Sequence, residues 1–163
     1  MMKKLFIPSL IISSLLVSAP LLAENENGRR PSAANIEHQN QQKLNVVKAL
    51  YDGFFNGHDA NVAKAIITEE YKQHNPFVGN GRAPFLAYFS QLFIDNPQYS
   101  ARIYRSAVNG DLVYVHVKYQ NNPEDRGTAS VDIYRVNDQG KITEHWDVNQ
   151  QVPTASANEN TMF

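Results

Sequence analysis

The chain has 163 residues, a formal charge of −1 and no cysteine. That length is one domain's worth, enough to bury a core without staples. The missing cysteine excludes thiol catalysis, disulfides, cysteine-ligated zinc and lipoprotein attachment, and the lack of any Lys/Arg run excludes the electrostatic footprint of a nucleic-acid partner.

Residues 1–23 read as a secretory signal: Lys3 and Lys4 form a basic start, residues 5–17 an apolar stretch broken by Pro8, and Ala23 a small residue before a polar run. Cleavage is expected after Ala23, giving a periplasmic or secreted protein with no stable membrane insertion. Loss of Lys3 and Lys4 takes the charge from −1 to −3. Residues 24–36 are polar and read as a flexible leader, residues 37–150 as the domain and residues 151–163 as a tail.

Within the domain, Leu44, Val47, Leu50, Tyr51, Phe54 and Phe55 recur at helical steps, and Gly57 stops that helix. Asp59 caps a second helix with Val62, Ile66 and Ile67 on its apolar face. Residues 71–80 are irregular, because Pro76 forces Asn75 to be extended and Gly79 breaks regularity. Pro84 opens a third helix carrying Phe85, Tyr88, Phe89, Leu92 and Phe93.

Four strand-like runs follow, over residues 99–108, 111–120, 128–136 and 141–149. Asn109-Gly110 is read as a type I′ hairpin turn between the first two. Helices gathered on one face of an antiparallel meander make a two-layer α+β domain, and strong sheet curvature would enclose a cone with a ligand pocket at its mouth.

Strand parity then sorts the polar side chains. Both faces of the second and third runs are apolar, so one face is expected on the helices and pocket and the other on a second copy of the chain, a homodimer through the sheet. Ile142, Trp146 and Val148 make the better inward set in the fourth run. Gly140 suits the left-handed corner of a three-residue loop, which pairs Asn137 with Lys141 and sets Asp132 opposite Trp146. A two- or four-residue loop would set Asp132 opposite His145 instead.

The candidate acid/base groups are therefore Asp132, His74 from the irregular segment, and His116, unless a bulge reverses the last. Tyr51, Phe55, Phe89, Phe93, Glu144, Trp146 and Asp147 are the candidate lining. A carboxylate beside imidazoles in an apolar cavity is suited to proton transfer near neutrality. Plainer roles are also open: His74 as a turn organiser, His116 as a structural strand histidine, His145 and Asp147 as exposed or interface groups, and Glu144 as the partner of a neighbouring Arg or Lys. The close ligand spacing of zinc motifs is missing, so no metal is expected.

Tyr71-Lys-Gln-His-Asn-Pro76, Gly110-Asp-Leu-Val-Tyr-Val-His116, Val131-Asp-Ile-Tyr-Arg135, Gly140-Lys-Ile-Thr-Glu-His-Trp-Asp-Val148 and Gln151-Val-Pro153 resemble the SnoaL-like polyketide cyclase family of the NTF2-like superfamily. The resemblance runs over about residues 40–163. It implies an NTF2-like α+β cone of three helices on a strongly curved antiparallel sheet, usually dimeric. It also implies an intramolecular aldol condensation without metal or cofactor, in which an acidic residue takes a proton from the carbon beside a carbonyl. By motif, it points to His74, His116, Asp132, Trp146 and Asp147.

An exported address does not suit the family's intracellular polyketide substrates. The expectation is therefore broader: a small, largely apolar or carbonyl-containing ligand, handled by a cofactor-free cyclase, isomerase or lyase. The alternative is a non-catalytic periplasmic binding or dimeric interaction module.

Overall fold

The computed structural model describes residues 31–163, so the expected signal and most of the leader lie outside the described residues. Residues 33–163 form one compact unit. Helix α1 spans Ala33–Ala49, taking in residues that composition assigns to the leader, and passes into a π-helical stretch over Leu50–Asn56. The wider π turn lets both members of two adjacent pairs, Leu50–Tyr51 and Phe54–Phe55, face the core.

Helix α2 is Ala60–Ile66, and the Asp59 side chain accepts the Asn61 N–H at 2.8 Å as its cap. Ile67 already has extended dihedrals (φ −99°, ψ 132°). It begins β1, Ile67–Gln73. This strand corrects the expected layout, in which Ile67 closed the second helix and Tyr71 began an irregular segment. The β-branched run Ile66-Ile67-Thr68 suits a pleated, half-buried strand as well as a helical stripe. Helix α3 is Arg82–Asp95.

Strands β2 (Ser100–Asn109), β3 (Leu112–Gln120), β4 (Thr128–Val136) and β5 (Ile142–Gln151) follow. The sheet order is β1-β5-β4-β3-β2, with β1 parallel to β5 and the other pairs antiparallel. It is thus a mixed five-stranded sheet, not an antiparallel meander of four, and it is open at β1 and β2. The β2–β3 turn is also one residue away from expectation. Asn109 pairs with Leu112, which leaves Gly110 (φ 63°) and Asp111 at the corners. Positive φ at the first corner only is the type II′ pattern, not type I′.

The core lies between the helices and one face of the sheet. Tyr51, Phe54, Phe55 and Phe85 meet Val113, Val115, Val117, Tyr134 and Val136 there, all nearly inaccessible. The other face carries Val131 and Val148, both exposed. The tail returns to this outer face, where the Phe163 ring stacks 5.0 Å from Tyr104 and 5.8 Å from His116.

A candidate active site in the aromatic cavity

Register decides which polar groups meet. The loop before β5 forms as the sequence suggests: Asn137 N–H donates to Lys141 O at 2.9 Å and Gly140 takes φ 68°. Beyond it, Val136 pairs with Ile142 but Arg135 pairs with Glu144, so Thr143 is an extra residue in β5. This bulge shifts every later pair by one. Asp132 therefore lies opposite Asp147, Ile133 opposite Trp146, and Tyr134 opposite His145.

The parity change corrects the expected inward set of β5. Ile142 is buried on the core side, but the inward groups after it are His145 and Asp147, while Glu144, Trp146 and Val148 turn outward. Asp132 pairs with Val115 and so shares the core side. His116 pairs with Val131 on the outer face, with its Nδ1 2.9 Å from Arg105 Nη1. His74 is outside as well: its ring stacks on Trp146 at 4.7 Å and its Nε2 lies 2.8 Å from Glu144 Oε1. The trio His74, His116 and Asp132 does not converge.

On the core side there is a cavity of about 380 Å³. Phe55, Phe85, Phe89 and Tyr99 form aromatic walls, and Tyr119, Tyr134, His145 and Asp147 come from the sheet. Of the expected lining, Phe55, Phe89 and Asp147 are present. Tyr51 is buried beneath the cavity. Phe93 packs behind it, stacked on His58 at 4.1 Å. Glu144 and Trp146 are on the other face.

Asp132 sits below the lining, 1 % exposed. Its Oδ2 accepts the hydroxyls of Tyr51 and, at 2.5 Å, Tyr119; its Oδ1 accepts Ser130 Oγ–H at 2.5 Å. Three hydroxyl donors thus take the place of a basic side chain. Burial, reinforced by the Asp132 charge, pushes the Tyr51 and Tyr119 hydroxyls well above their ordinary pKa, so both stay protonated as donors.

His145 is held by Gln73, whose Oε1 accepts the backbone N–H groups of His74 and Asn75, each at 3.0 Å. Two N–H donors identify that atom as the amide oxygen. The His145 Nδ1 lying 2.9 Å from it must therefore carry the proton. Burial holds the His145 pKa below the usual histidine value, against the pull of Asp132 and Asp147. In the neutral ring Nε2 is then a bare acceptor. It is buried without a hydrogen-bond partner and lies 3.9 Å from Asp132 Oδ1.

Asp147 Oδ2 accepts the Asn75 amide at 2.7 Å, and its other oxygen has no partner among the described residues. One ligand atom from each of Asp132, His145 and Asp147 lies within 4.8 Å of the others. Sequence reasoning missed Gln73, Asn75, Ser130, Tyr119 and Tyr134. The alternation Ser130, Asp132, Tyr134 in an otherwise apolar strand was the one readable sign of a polar inner row.

Helices laid across a curved mixed sheet, with a polar floor inside an aromatic cavity, define a protein of the NTF2-like class. Within it the chain belongs to the SnoaL-like family, since the SnoaL-like domain model matches residues 47–145. Solved structures agree on the fold. IdmH, a candidate polyketide cyclase from Streptomyces antibioticus, is 21 % identical with a TM-score of 0.57, covering 66 % of this chain and 91 % of its own. A candidate polyketide cyclase from Bacillus cereus is 20 % identical with a TM-score of 0.60, covering 73 % and 78 %. A candidate isomerase of the SnoaL-like family from Agrobacterium tumefaciens is 14 % identical with a TM-score of 0.57, covering 68 % and 98 %. No protein of curated function matches the chain.

Proposed function

We propose that the protein binds a small, largely apolar carbonyl compound in this cavity and acts on it by proton transfer, as a cofactor-independent cyclase, isomerase or lyase. The observation that carries the reading is the floor, where Asp147 lines an aromatic cavity with His145 beside it and Asp132 buried behind. The unpaired Asp147 oxygen is the proton acceptor for a carbon acid. His145 and Asp132 set the field around it, and Asn75 holds its orientation. Tyr71 and Tyr99 also line the cavity, and burial keeps their hydroxyls protonated, so they supply donors for a developing enolate oxygen.

The test needs no knowledge of the natural substrate. Acetonaphthone, a bicyclic methyl ketone, is incubated with the protein in D2O, and exchange at the carbon beside its carbonyl is followed by NMR. Exchange should exceed the buffer rate and fall at least ~100-fold in Asp147→Asn, the usual span for losing a general base. Binding without accelerated exchange would leave a non-catalytic binding module, the competing reading.

The same proposal includes export and a homodimer through the outer sheet face. Lys3, Lys4 and the apolar run before Ala23 support the first, with a mature N-terminus at Glu24 as its check. Exposed Val131 and Val148 on a face continuous with Trp146 support the second. Val148→Glu should then yield a monomer in sedimentation.

A further inference from the structure

The cavity is electrostatically one-sided. Among the described residues that line it, Asp125 and Asp147 are charged and none is Lys or Arg. Asp132 adds a third carboxylate just below. The Asn121 and Gly127 N–H groups hold the Asp125 carboxyl below the ordinary range, so it stays ionised. Asp132 and Asp147 face each other directly across two strands, a placement of like charges that costs stability. Among the described residues their one potential cationic neighbour is His145, which burial keeps neutral.

The unpartnered polar atoms of the floor are of one kind. The free oxygen of Asp147 and the bare Nε2 of His145 are both acceptors, so a ligand group that satisfies them must donate. Around them stand the ring systems of Phe55, Phe89, Tyr99 and Tyr119. Aromatic faces attract a cation that has been taken out of water. Carboxylates bordering a partly enclosed cavity strengthen that attraction, because screening is weaker there than in bulk solvent.

We propose that the ligand carries a protonated amine on a flat apolar body, and that the cavity turns away carboxylate and phosphate groups. This rests on the reading of the cavity as a small-molecule site and narrows its substrate class to amine-bearing carbonyl compounds. An ammonium donating to the bare Nε2 of His145 lies beside the Asp132 and Asp147 carboxylates and leaves the free Asp147 oxygen for proton transfer. The aromatic walls hold the hydrocarbon part, and a bicyclic ring system suits a cavity at the small end of the usual range for ligand sites.

Calorimetric titration of the full chain at neutral pH with naphthylmethylamine, naphthylmethanol and naphthoate separates the alternatives, since the three share one ring system and differ in charge. The amine should bind at least ~10-fold more tightly than the alcohol, and naphthoate most weakly. Asp147→Asn should bring the amine-to-alcohol ratio close to one. Naphthoate binding as well as the amine, or an amine preference unchanged in Asp147→Asn, would overturn the proposal while leaving the cavity reading intact. A melting temperature raised by zinc or manganese chloride but not by the amine would also overturn it, making the missing cation a metal ion. Failure of all three ligands to bind would sink the cavity reading itself.

Discussion

Each face of the sheet sets a histidine beside a carboxylate, and the two pairs live in opposite surroundings. On the outer face His74 Nε2 meets Glu144 Oε1 at 2.8 Å, with Lys72 and Arg135 on the same carboxylate. There the charge is answered by cations, and the Glu144 carboxyl is held down to about 2, chiefly by the His74 hydrogen bond. On the inner face His145 and Asp132 stand 3.9 Å apart with no hydrogen bond between them. There the carboxylate is answered by hydroxyls, and the ring is kept neutral by burial. The outer pair is satisfied as it stands. The inner pair, with Asp147, keeps unused acceptor capacity beside a cavity, which is what a site for proton transfer or ligand capture needs.

Unequal energetic weight should follow. Asp132→Ala removes the shared acceptor of the Tyr51, Tyr119 and Ser130 hydroxyls in the core, at a cost of about 1–3 kcal/mol in chemical denaturation, the range for a buried donor left unsatisfied. A cost under ~1 kcal/mol would mean that the inner network is loose and the contrast between the faces is wrong.

Glu144→Gln should cost on the order of 1 kcal/mol at pH 7, reduced by solvent at the outer face. The sign follows from the depressed carboxyl. Its contribution is full above the ordinary glutamate range near ~4.3 and is lost as the pH falls towards about 2. Wild type and variant should therefore converge in thermal melts at pH 2. A difference that instead grows on acidification would contradict the ion-pair account of that face.

His116→Ala should change stability by no more than ~0.5 kcal/mol, as is usual for a surface position. It should leave naphthylmethylamine binding alone. A clear loss of binding would return His116 to the site.

The fold was legible from the helix stripes, the turn residues and the family motifs, because these are local features with strong stereochemical preferences. β1 was not, since Ile66 and Ile67 extend the apolar stripe of α2 and nothing between them signals a break. The site was half legible. Asp132 stood out as an acid in an apolar run, and Gly140 fixed the loop before β5 correctly. The bulge at Thr143 left no such mark, because a bulge needs no glycine or proline, yet it exchanged Trp146 for His145 and Asp147 on the inner face. A single extra residue decided which chemistry faces the cavity. The clamp through Gln73 needed β1 beside β5, a parallel pairing between segments about 70 residues apart in sequence.

The claim that the inner face is the working one is tested most directly by observing the histidine ring nitrogens by NMR during a titration with naphthylmethylamine. His145 should appear as a neutral ring protonated at Nδ1, and its signals should move on binding while those of His74 and His116 stay in place. Movement at His74 or His116 with His145 unaffected would contradict the account.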